Sequence, residues 1–160
     1  MNSVLTFLYQ HQISYQLFHH PPIFTVEEGR RYKQSIPGAH TKNLFLRNKD
    51  KSRFFLYSLA AEKRADLQQL AHQLQTSRLS FASPELLWQY LNLKPGSVSP
   101  FGLLNDAQHR VEYLISPDLW HADLVGFHPN DNRATLVIDQ TNFRRFLKLI
   151  HHQPTVLQLN

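Results

Sequence analysis

A lysine and an asparagine stand directly ahead of an apolar run in the first third of the chain. Lys42 and Asn43 precede Leu44, Phe45 and Leu46, three residues that are typical of a strand entering a sheet interior. Such a strand would place the Lys42 ammonium and the Asn43 amide at its start, where both groups could face a bound ligand. The alternative is an ordinary solvated strand end, since exposed lysines are common.

A second stretch of chemical interest lies in the middle of the chain and is rich in small residues. It reads Gly96-Ser97-Val98-Ser99-Pro100-Phe101-Gly102. Its backbone N–H groups could donate to an oxygen of the same ligand, so we predict that the two stretches meet across a pocket. Loops of this composition also serve as plain connectors, and that alternative stays open.

Three more residues at predicted element ends could line such a pocket. His128 follows a predicted strand, where its imidazole could donate to a substrate, shuttle a proton or make a structural hydrogen bond. Thr25 and Glu28 match a capping box, which favours a helix cap over a catalytic role for Thr25. Phe24 either lines the pocket or packs against the helix that follows.

The common signatures of metal and cofactor sites are missing from the sequence. There are ten histidines and no cysteine, which excludes disulfides, thiolate zinc sites and a cysteine nucleophile. His19-His20 and His151-His152 are adjacent pairs, whose rings cannot easily share an ion. No nucleophile elbow, P-loop or dinucleotide fingerprint is present. We therefore predict no metal and no cofactor.

Composition and charge limit the class of protein. The 160 residues, 42% of them apolar and 18% charged, fit one folded domain spanning residues 1–160. The net charge of +5 permits a polyanionic partner without requiring one. The first residues lack a basic leader, and no apolar run approaches the roughly 18 residues that span a bilayer. We expect a soluble, cytoplasmic protein that does not bind membranes.

The periodicity of apolar residues predicts a mixture of helices and strands around one sheet. Residues 48–51 and 130–132 are polar, turn-prone connections, each between two apolar strands, and so predict two hairpins. Predicted strands cover residues 13–18, 42–47, 53–58, 78–81, 111–115, 124–129 and 134–138. Predicted helices cover residues 3–12, 25–35, 60–76, 84–93, 118–120 and 141–150, with Thr141 as the cap of the last one.

Four ordered blocks of sequence resemble a known family. They are residues 20–28, residues 38–47, residues 96–103 and Phe127-His128-Pro129 with Thr135. Together they closely resemble the YbaK/prolyl-tRNA-synthetase-associated domain family. The blocks around residues 41–47 and 95–102 look most like its free-standing Ala-tRNA(Pro) deacylase branch. The Cys-tRNA(Pro) deacylase branch is the main alternative within the family.

The resemblance implies an α+β fold with a mixed, partly barrel-like sheet flanked by helices. It also implies hydrolysis, in trans, of the ester of a mischarged tRNA(Pro), with tRNA as the partner and prolyl-tRNA synthetase or an elongation factor as further possible partners. Lys42 would contact the 3′-terminal adenosine and its phosphate, and Gly96 and Pro100 would bound a Gly-x-x-x-Pro loop. The implied catalytic set is Lys42, Gly96, Ser97, Ser99, Pro100 and His128, and the implied substrate-binding set is Phe24, Thr25, Asn43, Val98, Phe101 and Phe127. A non-catalytic tRNA-binding module is the alternative from another class.

Overall fold

The computed structural model describes residues 2–33 and 35–159. The strands are β1 (Gln16–His19), β2 (Ala39–Arg47), β3 (Phe54–Ala60), β4 (Ser80–Phe81), β5 (Val111–Ile115), β6 (Leu124–Phe127), β7 (Ala134–Asp139) and β8 (Thr155–Val156). The helices are α1 (Ser3–Gln10), α2 (Val26–Lys33), α3 (Leu67–Gln73), α4 (Pro84–Leu91), α5 (Pro117–Trp120), α6 (Gln140–Leu149) and a 3-10 helix, Pro100–Asn105.

The strands form one mixed sheet in the order β1-β7-β6-β2-β3-β5-β8, with β4 paired to β2 outside this path. Both predicted hairpins are present as the antiparallel pairs β2/β3 and β6/β7. The pairs β2/β6, β3/β5 and β5/β8 are parallel. The predicted sheet with flanking helices is therefore confirmed. No helix in the described ranges is both long enough and apolar enough to cross a bilayer.

Two short strands, β6 and β4, pair with opposite ends of one edge of β2, and the residues between them on that edge have no strand partner among the described residues. β6 pairs with β2 only at Ala39 and His40, and β4 pairs with it only at Leu46 and Arg47. β3 pairs with the opposite edge along the whole of 41–47. The strand begins earlier than predicted, so Lys42 and Asn43 lie inside it, beside the open part of its edge.

Two hydrophobic clusters cover the two faces of the sheet. The alternation along β3 shows the division, since Phe54 and Leu56 belong to one cluster and Phe55, Tyr57 and Leu59 to the other. The larger cluster also includes buried residues of α1, α4, α6 and the 3-10 helix. The smaller cluster includes Leu70 and Ala71 of α3. Because successive strand residues point to opposite faces, both clusters could be anticipated from apolar runs, but their helix partners could not.

The third helix is much shorter than the predicted helix over residues 60–76. Ala60 pairs with Thr41 as the last residue of β3, so the chain is extended where helix was expected. Asp66 begins the helix by accepting a hydrogen bond from the Gln69 N–H at 3.0 Å. Sheet pairing overrides helical propensity at Ala60, and residues 61–66 form a turn and an irregular segment before the helix begins.

The cap of α6 is Asp139 and not Thr141, which corrects the sequence prediction. The Asp139 carboxylate accepts a hydrogen bond from the Asn142 N–H at 2.7 Å, and Thr141 lies exposed inside the first turn. We expect Asp139→Ala to lower the free energy of unfolding by about 1 kcal/mol, the usual value of an N-cap, and Thr141→Ala to change it little. Urea unfolding of the two variants measures the difference, and equal losses would contradict this assignment.

Candidate active site

A cavity opens where β2 and β6 separate. After the pair formed by His40 and Gly126, the Thr41 hydroxyl donates to the Gly126 carbonyl oxygen at 2.6 Å. Beyond this point lies a cavity of about 310 Å³, at the lower end of the range of small-ligand sites. Eight of the twelve predicted site residues line it: Phe24, Thr25, Lys42, Asn43, Gly96, Val98, Phe127 and His128.

Lys42 supplies a cation to the cavity wall. Its ammonium forms no ion pair with a carboxylate in the described part of the chain. Partial burial lowers the pKa of Lys42 below its ordinary value, and the nearby charge of Arg64 lowers it further. A partly desolvated cation without a carboxylate partner is suited to receive an anionic group of a ligand.

The loop from Gly96 to Ser99 has backbone N–H groups that are unpaired within the described ranges, on residues that line the same cavity. The Ser97 N–H donates to the Lys94 carbonyl at 3.1 Å, which closes a turn. Within residues 2–33 and 35–159, the N–H groups of Gly96 and Val98 donate to no acceptor, and both residues line the cavity. Lys42 and this loop therefore line one cavity, so the two stretches meet across a pocket as the sequence predicts, and donation from the loop N–H groups to a ligand stays a prediction.

Phe24 packs over the loop at the cavity rim. Gly96 has φ +89°, and a Cβ built on it would come within 3.1 Å of Phe24 Cδ1. Phe24 itself remains 66% exposed, so its ring lines the cavity on one side and meets solvent on the other. An apolar ring in this position can cover a small bound group and reduce its contact with water.

Four predicted site residues lie outside the cavity wall. Ser99 is fully buried, and its hydroxyl oxygen accepts a hydrogen bond from the Phe101 N–H at 3.0 Å, which caps the 3-10 helix. Pro100 is the buried first residue of that helix. Phe101 packs in the core, its ring centroid 4.9 Å from that of Phe146. Ser97 closes the turn with Lys94 through its backbone N–H. These four residues therefore support the conformation of the loop and do not line the cavity.

His128 presents an unprotonated ring nitrogen at the cavity. Its Nδ1 lies 3.0 Å from the Ala134 carbonyl oxygen, and since a carbonyl can only accept, Nδ1 carries the proton. Burial lowers the pKa of His128 below the ordinary value of 6.5, which favours the neutral ring. Its Nε2 then has a lone pair and no partner in the described part of the chain, so it can accept a proton or orient a water molecule.

The lowered pKa of His128 predicts a pH-dependent stability. The unfolded chain binds this proton more tightly than the folded protein, so the free energy of unfolding should decrease as the pH falls below the ordinary value of 6.5. His128→Asn keeps a donor for the Ala134 carbonyl but cannot titrate. Urea unfolding at about pH 7.5 and about pH 5.5 should therefore show a smaller decrease in the variant. An equal decrease in both proteins would show that His128 is not the source.

The hydrogen bond between His20 and Thr135 at the cavity was not predicted from the sequence. His20 Nε2 lies 2.9 Å from the Thr135 hydroxyl, and its Nδ1 donates to the Pro21 carbonyl at 2.9 Å. The His20 ring stacks on Tyr32 of α2, with 5.5 Å between centroids. Thr135 and Tyr32 line the cavity, so His20 links α2 to β7. His20 and Thr135 stand in two of the blocks that carry the family resemblance, but nothing in the sequence indicates the hydrogen bond between them.

Helix α2 forms the outer wall. The Glu28 N–H donates to the Thr25 hydroxyl oxygen at 3.1 Å, and that hydroxyl lies 3.3 Å from the Glu28 carboxylate. Thr25 is therefore the predicted cap as well as a cavity residue. Arg30, which also lines the cavity, pairs with Glu27 at 3.2 Å on an exposed surface, where such a pair contributes little.

The fold is shared with solved structures. The crystal structure of a hypothetical protein aligns over 97% of this chain and 98% of its own, with a TM-score of 0.74 and 13% identity. The crystal structure of a candidate trans-editing enzyme for prolyl-tRNA synthetase aligns over 100% and 99%, with a TM-score of 0.70 and 16% identity. At these identities the similarity establishes the fold.

Sequence similarity establishes the family. The model of the aminoacyl-tRNA editing domain matches residues 20–146. Prolyl-tRNA editing protein ProX of Acetoanaerobium sticklandii is 35% identical over 146 residues, which cover 91% of this chain and 89% of the relative. Prolyl-tRNA synthetase associated domain-containing protein 1 of Xenopus laevis is 31% identical, with 98% and 95% covered. The chain belongs to the aminoacyl-tRNA editing domain family and is an aminoacyl-tRNA hydrolase, which confirms the resemblance seen in the sequence.

Proposed function

We propose that this protein hydrolyses the ester of mischarged tRNA(Pro) in trans, with Ala-tRNA(Pro) as its main substrate. The observation that carries the proposal is the single cavity shared by Lys42 and the free N–H groups of Gly96 and Val98. A relative that is 35% identical is a prolyl-tRNA editing protein. The choice of alanine comes from the sequence blocks around residues 41–47 and 95–102, which resemble the Ala-tRNA(Pro) branch.

The cavity can supply what ester hydrolysis requires. A water molecule attacks the carbonyl carbon, and the negative charge that develops on the carbonyl oxygen is met by the N–H groups of Gly96 and Val98. The bond from that carbon to the ribose oxygen then breaks, and the proton from water ends on the ribose oxygen, which yields free amino acid and tRNA. The Nε2 of His128 can orient the water, and Lys42 contacts the 3′-terminal adenosine and its phosphate.

The need for such an activity follows from the limits of side-chain recognition. A synthetase pocket built for proline discriminates against smaller amino acids by only about 1–3 kcal/mol, since one or two methylenes are missing. A separate small cavity can accept what the first pocket fails to reject. The cavity of about 310 Å³ beside the free donors is suited to a small side chain.

Deacylation assays with radiolabelled amino acids test the proposal. Ala-tRNA(Pro), Cys-tRNA(Pro) and Pro-tRNA(Pro) are each incubated with the purified protein, and the loss of label is compared with the uncatalysed rate. We expect Ala-tRNA(Pro) to be hydrolysed fastest and Pro-tRNA(Pro) to be spared. Faster loss from Cys-tRNA(Pro) would reassign the substrate, and salt-sensitive tRNA binding without loss of any label would favour a non-catalytic binding module.

The partners of the reaction follow from the same proposal. The acceptor end of tRNA is the obligatory one, and the net charge of +5 favours its approach. Prolyl-tRNA synthetase or an elongation factor would deliver or receive the tRNA. A cytoplasmic location, where these factors act on tRNA, remains a prediction.

A further inference from the structure

Asn43 is connected to two buried hydroxyl groups of the sheet by consecutive hydrogen bonds. Asn43 of β2 lies directly opposite Ser58 of β3, and the Ser58 hydroxyl donates to Asn43 Oδ1. The Ser58 oxygen lies 2.8 Å from the Tyr113 hydroxyl of β5. Ser58 is 0% exposed and Tyr113 is 2% exposed, so water cannot replace a missing partner at either group.

The available protons determine which group donates in each hydrogen bond between Tyr113, Ser58 and Asn43. Burial raises the pKa of Tyr113 far above its ordinary value, so the phenol remains protonated and has to donate. Its acceptor in the described residues is the Ser58 oxygen. The single proton of the Ser58 hydroxyl is then donated to Asn43 Oδ1, so that both hydroxyl protons have an acceptor.

Rotating the Asn43 amide by half a turn would break this arrangement. Nδ2 would then face Ser58 as a donor and would take the place of the acceptor that the Ser58 proton requires. One of the two buried hydroxyl protons, that of Ser58 or that of Tyr113, would be left without an acceptor, which is strongly disfavoured. The native orientation leaves Nδ2 without an acceptor among residues 2–33 and 35–159, and Asn43 lines the cavity.

We propose that Ser58 is a positioning residue, which turns the Asn43 amide so that Nδ2 donates a hydrogen bond into the cavity to the carbonyl oxygen of the aminoacyl ester. Asn43 would thereby add a side-chain donor to the backbone donors of Gly96 and Val98. The assignment of the carbonyl oxygen rests on the proposed function, whereas the orientation of the amide rests on the buried hydroxyl groups alone.

Two variants that differ only in the Ser58 hydroxyl test the proposal. Tyr113→Phe removes the phenol oxygen but leaves the bond from Ser58 to Asn43, so we expect kcat on Ala-tRNA(Pro) to fall less than about threefold. The double variant Ser58→Ala with Tyr113→Phe removes both hydroxyl groups and leaves no buried donor unpaired. Its kcat should fall about tenfold with KM unchanged, because a donor used mainly in the transition state is no longer held in place.

Stability separates positioning from a purely structural role. The single variant Ser58→Ala leaves the Tyr113 proton unpaired and should unfold at a lower urea concentration, whereas the double variant should recover most of that loss, since both partners are gone. If kcat recovers together with stability in the double variant, Ser58 is only structural and the proposal is overturned.

A readout without turnover keeps the two proposals distinct. The order parameter of the Asn43 side-chain amide, from ¹⁵N relaxation, should be high in the wild type and in Tyr113→Phe and should drop in the double variant. An unchanged order parameter would overturn the role of Ser58, whatever the activity. A protein that orders Asn43 in this way but hydrolyses no ester of tRNA(Pro) would sustain the orienting role and reject the proposed function and the carbonyl contact.

Discussion

In Lys42→Ala, we expect kcat/KM for Ala-tRNA(Pro) to fall about 100-fold while the fold is retained. The Lys42 ammonium is partly buried and has no carboxylate partner in the described residues, and its proposed role is to hold the 3′-terminal adenosine through its phosphate. Its loss should misplace the ester relative to the donors of the Gly96–Ser99 loop. The comparison of kcat/KM between wild type and variant under single-turnover conditions measures this effect.

The control for Lys42 is a lysine of equal charge that lies away from the cavity. Lys49 is exposed in the connection between β2 and β3, and Lys49→Ala should keep nearly the full activity. The free energy of unfolding should change by less than about 0.5 kcal/mol in either variant, since neither side chain is part of the core. Full activity of Lys42→Ala would exclude Lys42 from the site, and equal losses in both variants would indicate a general effect of charge on tRNA binding.

The second large effect is expected in Gly96→Ala. Its backbone has φ +89°, and the added Cβ would come within 3.1 Å of Phe24 Cδ1. We expect the free energy of unfolding to fall by about 1–2 kcal/mol from the strained backbone. We also expect kcat/KM on Ala-tRNA(Pro) to fall at least about tenfold, because the loop N–H groups and the Phe24 ring would both shift. Urea unfolding and deacylation rates of the same preparation separate the two losses.

Gly38 offers a matched control for backbone strain. It has φ +90°, and a Cβ there would lie 3.0 Å from Leu124 Cβ, but it does not line the cavity. Gly38→Ala should therefore lose at least as much stability as Gly96→Ala and much less activity at a temperature where both are folded. If the two variants lose activity in proportion to stability, the loop around Gly96 has no special role in catalysis.

Short-range patterns in the sequence were sufficient for the hairpins and for several helix starts. Turn residues between apolar strands predicted the pairs β2/β3 and β6/β7, and Ser83 with Pro84 predicted the start of α4. These features depend on residues that are close together in the chain. Where a partner from elsewhere intervened, as for Ala60 in β3, local propensity failed.

The residue types at Lys42, Asn43, Gly96 and His128 were enough to predict a polar pocket and, through four sequence blocks, its family. Only the tertiary structure decided which neighbours enter the pocket. Ser99 and Phe101 turn into the core because the 3-10 helix begins between them, which small-residue composition does not reveal. The cavity itself exists because β2 and β6 pair over two residues and then separate, and the orientation of Asn43 depends on hydroxyl groups from two other strands. Such contacts join residues far apart in the chain, and their geometry is determined by packing, not by local sequence.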